Sequence, residues 1–397
     1  MELLNASIKN SLANSSMIRR MFEAGLELKQ KYGADQVSDF SLGNPDLAPP
    51  PEVKKALEKI ATGSDLPFSI GYMPNAGYPQ LRNKLAQMVS VEQQLEVSGN
   101  DLIVTCGAAG ALNVIFHSIL SAGDKVLAVA PYFVEYDFYV ANGGGVLERV
   151  PAKDLSFELD IEAFKTAITP EVRAIILNSP NNPTGQIYGR SELEALAEVI
   201  SEREAEYGHP IFVISDEPYR FLNFDNLEIP GVFGIFKYAL VAGSFSKNLS
   251  LAGERLGYIA VNPAIENREE LVAGLILSNR TLGFVNAPAL GQKILLECLD
   301  AQVDLEIYRR RRQAMAEVLD NAKLTYTMPK GAFYFFVKSP VADEREFVNA
   351  LLEEKILAVP GRGFGCPGYI RLTFCVSEDE IRRSMAGFAA AAARFSK

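Results

Sequence analysis

Six short, unbroken apolar runs constrain this chain more than any other feature: Leu102–Thr105, Val126–Ala130, Ala174–Leu177, Ile211–Ile214, Ala239–Ala242 and Leu256–Val261. None shows the polar alternation of a strand with one wet face. They read as strands buried on both faces, and the helical stretches between them predict crossovers that keep the strands mostly parallel. A chain of 397 residues, 48% hydrophobic and 22% charged, can cover such a sheet on both sides and still build a second body. That body is expected from the tail, where Ala332–Val337 and Tyr369–Phe374 read as strands and Ser377-Glu378-Asp379-Glu380 reads as a capping box opening a last helix through Phe395. Ser15–Tyr32 spaces Met17, Ile18, Met21, Phe22, Gly25 and Leu28 as one amphipathic helix, stopped by Gly33. The boundary between the two units falls near residue 285.

Charge and composition remove several function classes. Thirty-nine Lys and Arg against 49 Asp and Glu give a net charge of −10, which disfavours nucleic acid and anionic membranes as partners. The basic run Arg309–Arg312 reads as a solvated helix face. Cys106, Cys298, Cys366 and Cys375 form no C-x-x-C pair, so neither a zinc site nor a disulfide framework is signalled. Only His117 and His209 are available for a Ser–His triad; the first reads as a hydrogen-bonded core histidine and the second as a surface turn residue. H-E-x-x-H, G-x-x-x-x-G-K-[ST], G-x-S-x-G and EF-hand loops are missing. Gly361-Arg362-Gly363-Phe364-Gly365 is followed by a strand where a dinucleotide loop needs a helix, and is rejected. Met1–Ser7 lacks a basic leader and no run of about 20 residues is apolar enough to span a bilayer, so a soluble cytoplasmic protein is expected.

The chemistry gathers at one edge. Phe133, Asn182, Asp216, Tyr219, Ser244, Ser246 and Lys247 all lie at or just beyond the C-terminal ends of apolar runs, where open α/β sheets bind ligands. Gly107-Ala108-Ala109-Gly110 joins one such run to a helix, and its small residues would let a phosphate reach backbone N–H groups at the positive end of the helix dipole. Lys247 has no carboxylate neighbour before Glu254. A desolvated lysine of this kind has a lowered pKa and can act as an imine-forming nucleophile or a general base.

Three motifs then occur in a fixed order: Asn181-Asn182-Pro183-Thr184-Gly185, Asp216-Glu217-Pro218-Tyr219, and Ser244-Phe245-Ser246-Lys247 with Arg255 eight residues later. With Ser41-Leu42-Gly43-Asn44-Pro45-Asp46 and the Arg371 strand, the chain resembles the class I/II aminotransferases of the aspartate aminotransferase fold type over nearly its whole length. The resemblance implies an α/β fold: a large pyridoxal-phosphate-binding domain of residues 46–285 with a mostly parallel seven-stranded sheet, and a smaller α+β domain from residues 1–45 and 286–397. It implies pyridoxal 5'-phosphate as cofactor and ping-pong transfer of an amino group from an L-amino acid, aspartate or glutamate by default, to a 2-oxo acid. Lys247 would form the Schiff base and shuttle the substrate proton. Asp216 would pair with the pyridine nitrogen, Asn182 and Tyr219 would bond the phenolic oxygen, and Phe133, with Tyr132 as the alternative, would stack on the ring. Arg255, Ser244, Ser246, Ala108 and Ala109 would hold the phosphate, and Tyr72 would reach the phosphate of a neighbouring subunit in a homodimer. Arg371, with Gly43 and Asn182, would take the substrate carboxylate; Arg280 is a candidate by position for a distal carboxylate, and aromatic or aliphatic donors stay open. A β-eliminating C–S lyase of the same fold is the alternative reading. A ligand-sensing module is a third, disfavoured by how few residues precede the first substrate motif.

Overall fold

The computed structural model describes residues 3–4, 8–9, 12 and 17–395. All six predicted strands form: β1 (Leu102–Cys106), β2 (Lys125–Ala130), β4 (Val172–Asn178), β5 (Phe212–Asp216), β6 (Ala239–Ser244) and β7 (Leu256–Val261). A further strand, β3 (Val146–Pro151), completes a seven-stranded sheet of order β1-β7-β6-β5-β4-β2-β3. Pairing is parallel from β3 through β6, while β7 runs antiparallel to both β6 and β1. Six strands therefore point the same way and deliver their C-terminal ends to one edge.

The unbroken apolar character of these runs has a direct cause in packing. Alternate residues enter two separate cores: Leu127, Ile175, Val213 and Val241 on one face, Val126, Ile176, Ile214 and Leu240 on the other. β3 is the exception, an edge strand whose side chains are mostly accessible, so its sequence VLERVP carries no buried run. Helices cover both faces. The helix Ala289–Cys298 buries Ile294, Leu295 and Cys298 in the first of these cores, which extends through Leu299.

The second body is built on β8 (Tyr334–Lys338) and β9 (Tyr369–Thr373), the antiparallel centre of a four-stranded sheet. Phe333, Phe335, Phe347, Phe374 and Phe388 fill its core. The helix Met17–Tyr32 forms within the predicted segment, and Ser15 lies outside the described residues. Beyond it, Ser38–Asp39 pairs in parallel with Ile356–Leu357, and Thr373 N–H donates to Phe40 O at 2.9 Å.

Several local expectations are corrected. The last helix is two, Glu378–Arg383 and Met385–Ala393, broken at Ser384, whose hydroxyl donates to Ile381 O at 2.7 Å. Ser377 accepts from Glu380 N–H, but the Glu380 carboxylate takes the Asp39 N–H at 2.8 Å, so only half of the capping box closes. His117 is not a core histidine: Val114, Ile115 and Phe116 turn inward and it is left on the exposed side of its helix. Arg311 is not solvated; it is buried and forks onto Asp46 with two 2.7 Å bonds. All four cysteines are free, and no helix among the described residues is long and apolar enough to cross a membrane.

Candidate active site

At the shared strand edge lies a cavity of about 300 Å³. Its wall includes Ala108, Ala109, Phe133, Asn182, Asp216, Tyr219, Ser244, Ser246, Lys247 and Arg255 from the seven-stranded body, and Gly43 and Arg371 from the other. Twelve of the thirteen predicted site residues thus share one cleft. The thirteenth, Tyr72, is 96% exposed and lines a separate groove with Ile70, Met73 and Phe284. Arg280 is exposed at the end of the helix Arg268–Thr281 and does not line the cavity.

Topology explains the convergence. β1 ends at Cys106 and passes through Gly107 into the helix α1 (Gly107–Ile119), whose first N–H groups, including those of Ala108 and Ala109, begin at the cavity. Gly107 has φ +70°, and a Cβ there would stand 2.9 Å from Arg255 Nη2. The antiparallel course of β7 matters here, because Arg255 precedes that strand and so arrives at the edge where the others end. Ser244 closes β6, and its hydroxyl donates to Ser246 Oγ at 3.0 Å. Phe133 follows β2 and lines the cavity, whereas Tyr132 is buried, bonded to Asp137 and not part of the cavity wall.

Lys247 Nζ donates to Gly43 O at 2.8 Å. Burial, reinforced by the nearby Arg371 and Arg255 charges, brings its pKa down to about 8, against a counter-effect of Cys375. Asp216 is buried. Desolvation raises its pKa to about 7, a bond from Tyr136 pulls it down, and the Glu217 charge pushes it up. Tyr136 Oη donates to Asp216 Oδ2 at 2.5 Å, while Oδ1 is buried with no partner. An orphaned buried carboxylate oxygen is costly and points to a missing donor. Arg371 is 2% exposed; Nη1 donates to Asn182 Oδ1 at 3.2 Å, Nη2 to Ser41 O at 2.6 Å, and Nε has no partner. Its guanidinium lies between the rings of Tyr334 and Phe364, at 4.6 and 4.7 Å.

Among the wall residues not read from the sequence, Tyr136, Asn178 and Tyr334 make the polar contacts that shape the site. Tyr136 opens the short helix Tyr136–Asn142 just beyond Phe133, outside the strand-end pattern that marked the other residues. Asn178 is the last residue of β4 and satisfied the same strand-end criterion as Asp216; its amide donates to Asp216 O and its oxygen accepts from Asn182 N–H. Tyr334 opens a strand of three consecutive aromatic residues and gave no signal. Gly43 owes its identity to Tyr334: an added Cβ would lie 2.0 Å from the phenol oxygen. Gly43→Ala is expected to cost about 1–3 kcal/mol by overpacking, read from urea unfolding, and to depress activity through the displaced Lys247 acceptor.

The family model for aminotransferase class I and II matches residues 35–388. The chain belongs to this family. Among curated relatives of this aminotransferase are the aspartate/prephenate aminotransferase of Thermus thermophilus, 34% identical over 376 residues with 92% of each chain covered, and the aspartate aminotransferase of Pyrococcus abyssi, 29% identical with 94% of this chain and 95% of that one covered. A solved amino transferase from Eubacterium rectale superposes with a TM-score of 0.96 at 34% identity, covering 100% of both chains. Aspartate aminotransferase from Thermus thermophilus with maleate gives 0.87 at 29% identity, covering 98% of this chain and 100% of the other.

Class I and II aminotransferases work with pyridoxal 5'-phosphate, amino acids and oxo acids. The cleft fits that cofactor. The unpartnered Asp216 oxygen suits a protonated ring nitrogen, and the open start of α1, the two serines and Arg255 form a cradle suited to a phosphate.

Proposed function

We propose that this aminotransferase takes the amino group of an L-amino acid, aspartate or glutamate by analogy with its named relatives, and passes it to a 2-oxo acid in two half-reactions at one cleft. The observation that carries this reading is a half-buried amine of lowered basicity on the same cavity wall as a buried carboxylate with an orphaned oxygen and a buried guanidinium. When bound, pyridoxal phosphate supplies an aldehyde that receives the amino group and a ring that draws electrons from the substrate Cα.

The chain's residues then divide the work. Lys247 would hold the aldehyde and move the proton at the substrate Cα, a task to which an amine of lowered basicity is suited. Asp216 holds the ring nitrogen protonated through Oδ1, with Tyr136 fixing the other oxygen. Tyr219 and Asn182 donate to the phenolic oxygen, Phe133 covers the ring, and Arg255, Ser244, Ser246 and the N–H groups of Ala108 and Ala109 hold the phosphate. Arg371 receives the α-carboxylate, with Asn182 and the backbone of Gly43 beside it.

We also propose a homodimer and two domains. Leu66, Phe68, Ile70 and Tyr72 are 64%, 92%, 54% and 96% exposed along one short segment, an apolar surface that a second copy would cover, bringing Tyr72 to the partner's cleft. The larger domain is residues 46–285 extended by the helix Ala289–Cys298. Four free thiols accord with a reducing, cytoplasmic setting.

The test is direct. Protein loaded with pyridoxal phosphate should convert L-aspartate and 2-oxoglutarate to oxaloacetate and glutamate, one for one, and sediment at about twice the 43.5 kDa chain mass. Release of pyruvate and ammonia from a sulfur amino acid with no acceptor present would replace the reading by the lyase. Arg371→Lys removes the planar fork that lies between two rings. It is expected to cost about 2–4 kcal/mol, roughly 30- to 1000-fold in kcat/KM and mostly in KM, measured by initial rates.

A further inference from the structure

Tyr334 touches three parts of the cleft at once. Its ring lies 4.6 Å from the Arg371 guanidinium, its hydroxyl is 3.1 Å from that of Tyr219, and the same hydroxyl fills the space that a side chain on Gly43 would need. Arg371 is buried and forms no ion pair among the described residues; its charge is met by two neutral oxygens and two aromatic faces. A cation held this way stays available for an incoming carboxylate, because no resident anion has to be displaced.

The hydroxyl has a separate task. A phenol has a single proton to donate. In the reading above, Tyr219 gives its proton to the cofactor's phenolic oxygen, so Tyr334 must be the donor between the two phenols. Accepting that bond strengthens Tyr219 as a donor and fixes its orientation. On that reading, we infer that Tyr334 is a positioning residue of the transamination: its ring shelves Arg371 for the substrate carboxylate, and its hydroxyl aims Tyr219 at the cofactor.

Two variants separate these tasks, with holoenzyme kinetics and the calorimetric Kd of butyrate, a carboxylate with no amino group to react. Tyr334→Phe keeps the ring and removes one oxygen without repacking the core. Its butyrate Kd and donor KM should stay within about twofold of wild type while kcat falls about 3- to 10-fold, the loss of one hydrogen bond. Adding Tyr219→Phe should then cost less than it does in the wild type. Tyr334→Leu removes the aromatic face, and Kd and KM should rise about 10- to 30-fold. Wild-type kcat in Tyr334→Phe, or wild-type butyrate affinity in Tyr334→Leu, would overturn the inference. A wild-type protein that transfers no amino groups would overturn the proposed function instead, and the butyrate affinities would still decide the role of the ring.

Discussion

Lys247→Ala should leave a folded protein whose amino-group transfer falls by at least about 10⁴-fold, because one substitution removes both the covalent anchor and the base at Cα. No neighbour can take over. The other cations on the cavity wall, Arg255 and Arg371, are guanidinium groups rather than amines, and the carboxylate on that wall, Asp216, is fixed by Tyr136. Borohydride treatment of loaded wild type should fix the cofactor to the peptide carrying Lys247, and the variant should carry none. Retained labelling in the variant would show that another amine does the work.

Asp216→Asn should do two opposite things. Activity falls by about 10²- to 10³-fold, as expected when a preorganised charge beside the reacting system is lost. The protein without cofactor, however, becomes more stable at alkaline pH. Burial holds the folded-state pKa of Asp216 near 7, above its ordinary value of 3.8, so the folded protein binds the extra proton between those limits and loses stability as pH rises through them. Asparagine carries no such penalty, which gives a gain of about 2–4 kcal/mol at pH 8 that vanishes at pH 4. Urea unfolding at the two pH values measures it. Pyridoxal phosphate should reverse the order, since only the wild type regains a charged partner. A variant no more stable than wild type at pH 8 would show that the buried carboxylate is not strained.

The large sheet was legible because strands buried on two faces leave little choice of side chain: apart from Arg173 at the start of β4, the residues of β4, β5 and β6 are apolar or small until the C-terminal edge, where polarity marks function. The same reasoning hid β3, whose accessible side chains free its sequence from that constraint. Lys247, Asp216 and Asn182 stood out as polar residues at or beyond the ends of apolar runs, and Arg255 by its spacing of eight residues from Lys247. Tyr136 and Tyr334 did not, since a tyrosine is equally at home in a core, and only its hydroxyl's partner reveals its task. Arg311 misled for a related reason: four arginines in a row look alike in sequence, but helical rotation sends one of them inward to Asp46. Glu380 kept its helix-start position yet turned to Asp39, a partner 341 residues away that no local motif can announce.

That long reach has a bearing on how the enzyme is made. Ser41, whose carbonyl accepts from Arg371, leaves the ribosome 330 residues ahead of it. The strand Ser38–Asp39 likewise waits for Ile356–Leu357. A nascent chain can therefore make the Lys247 and Asp216 side of the cleft before it makes the Arg371 side that is proposed to seat the substrate. Chains halted between Lys247 and Arg371 are expected to occupy the vitamin without consuming amino acids.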